Sequence, residues 1–294
     1  MLLKTLINKL ETPESVVLPD NFVKSILDKH DRTPEISRAG TYNEHVHVSS
    51  LAYNFCPRHY AIAIKEKLAL YESVTGGHKV MWKIGRAVEE HVRDAFIEAY
   101  SPRNVWAKWH CPDHEESFRE GFYKAENCHC GKALDKFSEA DIQDDESGVV
   151  GHADLIFRYK NTLFVKEIKS MNKAQWEELT EPLDYHLMQA GMYPKLLAKR
   201  LKNISPIVTF VYVTKDFKFG SPYKEFHVDM SEPKYVKMHD DMLLEAKQVK
   251  DFVQKGKSPE RICASLASPL AKKCPVAFRC FHSYEEEIVW NHMV

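Results

Sequence analysis

The chain has 294 residues, 44% hydrophobic and 28% charged, an ordinary globular composition with length enough to bury a large core as one domain with insertions or as two. Lys and Arg total 41 against 42 Asp and Glu, so the formal net charge of -1 exerts no global pull on nucleic acid, and any polyanion contact must come from a local patch. No apolar run reaches the roughly 18 residues of a membrane span, and the opening MLLKTLINKLETPES carries acids and lacks a signal-peptide apolar core, so a cytoplasmic protein without a membrane partner is expected.

No fixed-period repeat or low-complexity tract is present, which sets aside solenoids and coiled coils. Residues 1–48 read as a polar lead-in with one amphipathic stretch, Asp20 to Leu27, that Asp20 or Asn21 could cap as a helix. From Ser49 or Ser50 a helical pattern runs through Ala61-Ile62-Ala63-Ile64. A second runs from Trp82 to Tyr100, with Ile84, Val88, Val92, Ala95 and Phe96 spaced by three and four. Between Ser101 and Glu146 the pattern breaks into a cysteine- and acid-rich segment that reads as an insertion. Val149 to Phe157 and Thr162 to Ile168 are apolar strands separated by Arg158-Tyr159-Lys160-Asn161, a connection that suits a hairpin. Helical character returns at Ala174 to Thr180 and at His186 to Leu201, the latter interrupted by Pro194. Pro206 to Thr214 is the clearest buried strand, with Pro222 to Met230 its expected hairpin neighbour, and a helix from about Lys234 to Gln254 precedes a cysteine-rich tail. An α/β fold follows, divided into a lead-in (1–48), a helical region (49–100), an insertion (101–146), a core (147–230) and a C-terminal helix with its tail (231–294).

The acids and lysine of the core carry the first chemistry. Asp154 lies in Gly151-His152-Ala153-Asp154, and Glu167-Ile168-Lys169 ends the apolar run of the next strand. If the two strands pair, Asp154 and Glu167 converge at one end of the sheet and can hold Mg²⁺ or Mn²⁺, with the Ile168 carbonyl as a further oxygen ligand. Lys169 shares a face with Glu167 and could orient the attacking water and offset charge on a scissile phosphate. E-x-K also occurs at Glu232 and Glu245, but only Glu167 stands at the end of an apolar strand, where an unbound carboxylate is costly.

These motifs resemble the RecB-like branch of the PD-(D/E)XK nucleases. Gln189-Ala190-Gly191-Met192-Tyr193 supplies the family's Q-x-x-x-Y on the following helix, and Gly85-Arg86-Ala87-Val88-Glu89-Glu90-His91 matches its upstream histidine helix. The resemblance implies a restriction-endonuclease-like core, a central mixed sheet flanked by helices. It further implies that His91, Asp154 and Glu167 ligate the metal, that Lys169 serves the nucleophile, and that Gln189 and Tyr193 support the site or the DNA.

Seven cysteines in a reducing compartment suggest metal rather than disulfides. Cys56, with Cys263, Cys274 and Cys280 in a polar tail, is the complement for a [4Fe-4S] cluster or a Cys₄ zinc site. One cysteine ahead of the nuclease motifs and three behind them is similar to the iron-sulfur exonucleases of the CRISPR-adaptation Cas-four and AddB type. Cys274 to Cys280 keeps that family's final spacing, whereas ten residues separate Cys263 from Cys274 where the family has two. The insertion adds Cys111-Pro112-Asp113-His114 and Cys128-His129-Cys130, which suit a structural Zn²⁺ with His114, His110 or His129 as fourth ligand. The expected protein is a Mn²⁺- or Mg²⁺-dependent DNA exonuclease acting on single strands or DNA ends, as a homo-oligomer or within a recombination or CRISPR-adaptation complex. The rival expectations are a nuclease-fold DNA adaptor with an idle site and a zinc-stabilised scaffold. Charge toward DNA is expected from Arg58, Lys79, Lys83, Arg86, Lys166, Lys169, Lys173 and Lys195, and base stacking from Tyr53, Trp82, Trp176 and Tyr193.

Overall fold

The computed structural model describes residues 35–36, 45–53, 55–68, 71–72, 76–215 and 221–282; the amphipathic stretch at Asp20 to Leu27 lies outside them. The chain first forms β1 (Glu35–Ile36), β2 (Val46–His47), α1 (Val48–Leu51), α2 (Pro57–Lys65), β3 (Tyr71–Glu72) and α3 (Gly76–Tyr100). Seven strands follow, β4 (Val105–His110), β5 (Phe118–Phe122), β6 (Lys136–Ser138), β7 (Asp141–Asp144), β8 (Val149–His152), β9 (Leu155–Tyr159) and β10 (Thr162–Met171). Then come α4 (Lys173–Glu178), α5 (Asp184–Ala190), α6 (Met192–Leu197), β11 (Ile204–Thr214), β12 (Tyr223–Asp229), α7 (Pro233–Lys255), α8 (Pro269–Lys273) and α9 (Ala277–His282).

β10 and β11 are long apolar runs because both of their faces are covered. On one face Leu163 and Val165 pack with Val208, Phe210 and Tyr212 against Leu187, Met192, Tyr193 and Leu196 of α5 and α6, and α2 and α7 close the same core. On the other face Ile168, Val211 and Val213 pack against Val92 of α3. The two strands run parallel, and antiparallel neighbours extend them into a seven-stranded sheet of order β12-β11-β10-β9-β4-β5, with β6 also paired to β4. A central mixed sheet flanked by helices is the architecture expected. No helix among the described residues is long and apolar enough to cross a membrane.

Several expected elements differ in extent. The first helical pattern divides into α1 and α2, and Pro57 opens α2, where its missing N–H is no loss. The run Val149 to Phe157 is two strands broken at Ala153-Asp154: β8 joins a small sheet with β2 and β7, and β9 joins the central one. Gly151 allows that crossing, since a Cβ there would lie 2.9 Å from Val48 Cγ2 and 3.0 Å from Tyr193 Cε1. The helix expected from His186 divides at Gly191, where a Cβ would meet Met230 Sδ at 2.6 Å and His239 Cε1 at 2.8 Å; Pro194 falls inside the first turn of α6. The segment 101–146, expected as an insertion, contributes β4, β5 and β6 to the central sheet and β7 to the small one. Its inward Val105, Ala107 and Trp109 alternate with Trp106, Lys108 and His110, a half-buried pattern that its polar residues obscure.

Candidate functional site

β9 and β10 pair with Leu155 opposite Lys166, so the next residues outward, Asp154 and Glu167, meet at the open end of the hairpin. Asp154 Oδ2 accepts the Ile168 N–H at 2.6 Å, a charge-assisted bond that fixes the carboxylate at the strand end. The Ile168 side chain turns to the opposite face, and Glu167 and Lys169 project together. Lys169 Nζ lies 2.5 Å from Glu167 Oε1 and 3.8 Å from Asp154 Oδ2.

Glu167 is fully buried, and its charged partner is the Lys169 ammonium, 2.5 Å from Oε1. Burial pushes its carboxyl up to about 8, with Asp154 adding to the rise and Lys169 opposing it. Burial pulls Lys169 the other way, but Asp154 and Glu167 outweigh it and hold the ammonium charged well above the usual lysine range. A carboxylate so placed is costly unless a cation meets it, and here the single charge of Lys169 is shared between Glu167 and Asp154.

Two further acids approach from outside this hairpin. Glu89 of α3, Glu139 just after β6, and Asp154 each offer an oxygen within 4.8 Å of the others. Burial and the adjacent Asp154 raise Glu89 to about 8, against the pull of Lys169. Hard oxygens at this spacing suit Mg²⁺ or Mn²⁺. His91, expected as a ligand, is exposed on α3 and outside this group. Helix positions two apart do not share a face, so Glu89 reaches Asp154 and His91 does not. No motif spacing in the sequence marks Glu89 or Glu139.

Gln189 Nε2 donates to Tyr193 Oη at 3.3 Å, and Tyr193 is wholly buried beneath Glu167, its hydroxyl pKa raised by burial and by that carboxylate. The pair thus supports the floor of the site, and Tyr193 is not available to stack on a base. His186 contacts Tyr212 Oη at 2.8 Å. Tyr185, not anticipated from the sequence, is 43% exposed and lies near the Lys169 ammonium and the 71%-exposed Tyr53. Of the cations expected to face DNA, Arg58, Lys79 and Lys166 are buried, and Lys166 pairs with Glu225 at 3.1 Å over the Phe96 ring. Lys195 pairs with Asp240 and Lys173 with Glu177, whereas Lys83 and Arg86 are exposed on α3. Trp176 packs against the main core with Lys224 over its ring.

Cys56, Cys263, Cys274 and Cys280 come together from α2 and the tail to line one cavity. Arg58, buried beside them, donates to Cys280 Sγ at 3.2 Å, Ser258 Oγ at 2.7 Å, the Pro259 carbonyl at 2.9 Å and the Cys280 carbonyl at 3.4 Å. Burial raises the thiols of Cys56 and Cys274. These sulfurs form no group of three within 4.8 Å.

Cys111, His114, Cys128 and Cys130 do close to that spacing. Cys111 Sγ lies 3.6 Å from Cys130 Sγ and 3.7 Å from His114 Nδ1, and Cys128 Sγ lies 3.7 Å from the same nitrogen. His110, one of the alternative ligands, is engaged instead with the Glu115 carbonyl and Ser138 Oγ, each at 2.7 Å. His129 Nδ1 reaches Cys128 Sγ at 3.4 Å but lies outside the group of four. The backbone N–H of Cys130 draws the Cys128 thiol down to about 6, and Gly131 takes the left-handed φ of 84° that its turn requires.

No protein-family model matches the chain, and no curated protein matches it. Among solved structures it is similar to LHK-Exo, an alkaline exonuclease from Laribacter hongkongensis, with TM-score 0.46 and 11% identity over 74% of this chain and 93% of that one. LHK-Exo in complex with dAMP gives TM-score 0.44 and 11% identity over 74% and 92% of the two chains. The structure of SSO0001 gives TM-score 0.34 and 17% identity over 75% and 83%.

Proposed function

We propose that the chain is a metal-dependent deoxyribonuclease, an exonuclease of the RecB-like PD-(D/E)XK kind that hydrolyses phosphodiester bonds in single-stranded DNA or at DNA ends. The observation that carries this reading is the convergence of the fully buried Glu167 carboxyl, Lys169 at 2.5 Å and Asp154 at the end of one hairpin. Asp154, Glu89 and Glu139, with Glu167 and the Ile168 carbonyl as further oxygens, would hold Mn²⁺ or Mg²⁺, which would supply an activated water and a Lewis acid for the phosphate. Lys169, kept charged by two carboxylates, orients the water and offsets charge developing on the phosphorus oxygens. The Ile168 N–H holds Asp154 in place, and Gln189 with Tyr193 supports Glu167 from below. Tyr185 offers an exposed ring near Lys169, and Tyr53 another near Tyr185, on which bases can stack, and Lys83 and Arg86 offer phosphate contacts.

The outer cysteines fit a [4Fe-4S] cluster better than one zinc ion. A single tetrahedral Zn²⁺ with Zn–S bonds of about 2.3 Å draws its sulfurs to about 3.8 Å, whereas a cubane binds each thiolate through a different iron and spreads them. The four outer thiols line one shared cavity, which is the support for the second case. Such a cluster would staple α2 to the tail, in a protein acting as a homo-oligomer or in a recombination or CRISPR-adaptation complex.

The test is cleavage of end-labelled single- and double-stranded DNA by anaerobically purified protein with Mn²⁺ or Mg²⁺, beside Asp154→Ala and Lys169→Ala. Metal-dependent shortening that both substitutions abolish is expected. Intact, iron-loaded protein that binds DNA without cutting it would overturn the enzyme in favour of a DNA-binding adaptor.

A further inference from the structure

The inner metal-ligating set plays no part in the reaction above, yet the chain leads from it straight into the carboxylate centre. β4 is the link. One edge of β4 is shared by two strands in succession: β9 pairs at Val105 and Trp106, and β6 takes over at Lys108, Trp109 and His110. Both run antiparallel to β4, so the end of β6 and the start of β9 face each other across Ala107. The residue after β6 is Glu139 and the residue before β9 is Asp154, and this junction brings their carboxylates together.

β6 is only three residues long and pairs with β4 alone, too little pairing to fix a side chain by itself. What flanks it is the cysteine set. Cys111 follows β4 directly, and Gly131 to Asp135 are all that separates Cys130 from β6. Donor atoms 3.6 to 3.7 Å apart match a tetrahedral ion with bonds of about 2.0 to 2.3 Å. Three sulfurs and one imidazole are soft and borderline ligands, suited to zinc and unsuited to Mg²⁺ or Mn²⁺.

We propose that Cys111, His114, Cys128 and Cys130 bind Zn²⁺ and that this ion, by clamping the ends of β4 and β6, positions Glu139 for the carboxylate centre. The His110 contact to Ser138 Oγ and the Arg93 guanidinium over the Phe137 ring at 4.6 Å, with Nη1 3.8 Å from Glu139, pass the constraint along β6. Glu139 is a positioning target of the zinc, and the zinc touches no substrate. The zinc site stands independently; the role of Glu139 rests on the metal-dependent reading above.

The experiment uses the full chain. Zinc and iron per chain are measured by mass spectrometry, Co²⁺ replaces zinc for its visible spectrum, and Mn²⁺ binding is titrated by electron paramagnetic resonance for wild type, Cys130→Ser, Glu139→Gln and the double variant. Cys130 is exposed, so its serine variant leaves the core intact, and hydrogen exchange at β6 monitors the clamp directly. Wild type is expected to hold one zinc and, with cobalt, to show the intense bands of a tetrahedral thiolate–imidazole site. Cys130→Ser is expected to lose the zinc, to expose β6 to exchange and to raise the Mn²⁺ dissociation constant about tenfold, with the double variant no weaker than Glu139→Gln alone. Zinc-free wild type, or zinc unchanged in Cys130→Ser, would overturn the site. Zinc lost with β6 protection and Mn²⁺ affinity unchanged would overturn the positioning role. Wild type that holds zinc but binds no Mn²⁺ would overturn the positioning role together with the nuclease reading and leave the zinc site supported.

Discussion

Cys111 and Cys130 lie 19 positions apart and close around the end of a single strand, while Arg58 and Cys280, which tie the outer set together, lie 222 positions apart. The inner set can assemble with its own hairpin. The outer set exists only once the first helices and the tail have met across the finished core. On the proposed reading the same thiol chemistry would do two jobs, the local set adjusting one part of the sheet and the distant one tying the first helices to the tail. Neither includes the acids and lysine of the candidate site, which sit just after β6, just before β9, on β10 and on α3.

The comparison can be broken most forcefully at the reacting groups. Lys169→Ala should lower kcat about 10² to 10³-fold while zinc and iron content stay as in wild type. Iron lost from this variant would mean that the centre and the clasp are one cooperative unit. Arg58→Ala should do the reverse, costing about 3 kcal/mol in denaturant unfolding as its buried acceptors lose a charged donor, with kcat of the folded fraction retained. Gly151→Ala forces a methyl against Val48 and Tyr193 between the two sheets. A loss of about 1 to 3 kcal/mol, measured the same way, is expected, with both metal contents unchanged.

His186 sharpens the picture through pH. Burial, with Lys169 adding to it, lowers its pKa from 6.5 to about 3, so the folded chain refuses a proton that the unfolded chain accepts. Its stabilising contribution is complete above pH 6.5 and fades as pH falls toward 3. The melting temperature should decline over that window in wild type and less steeply in His186→Gln; equal slopes would remove His186 as the cause. The smallest effect belongs to Tyr193→Phe, which deletes one long hydrogen bond from Gln189 and should cost about 1 kcal/mol.

The parts that were legible in the sequence are those whose environment leaves a local mark. β10 and β11 read as strands because both faces are apolar, and Glu167 stood out as a charge ending such a run. The two ends of the Q-x-x-x-Y motif touch, Gln189 on Tyr193, although Gly191 between them divides one expected helix into two. β4 to β7 were not legible, since short strands with one wet face mix Trp, Lys and His into their alternation. Glu89 and His91 flank the Val88, Val92 and Phe96 stripe on opposite sides, so periodicity cannot choose between them. That choice depends on how α3 crosses β10, and Gly85, whose Cβ would sit 3.3 Å from Ser170 Oγ, is where the two approach. Glu139 depends on strand order alone, because two pieces of chain must share one edge of β4 before it reaches Asp154.

The clasp between Arg58 and Cys280 also sets a clock on synthesis. A ribosome adds about 5 to 20 residues per second, so the last outer cysteine emerges at least about ten seconds after α2. Asp154 through Tyr193 have all left the ribosome well before then, and Cys56 waits as a lone thiol throughout. On the proposed reading, iron would reach this chain late, after the residues of the candidate site have emerged, and a nascent chain stalled before Cys280 would carry Asp154 through Tyr193 without the clasp.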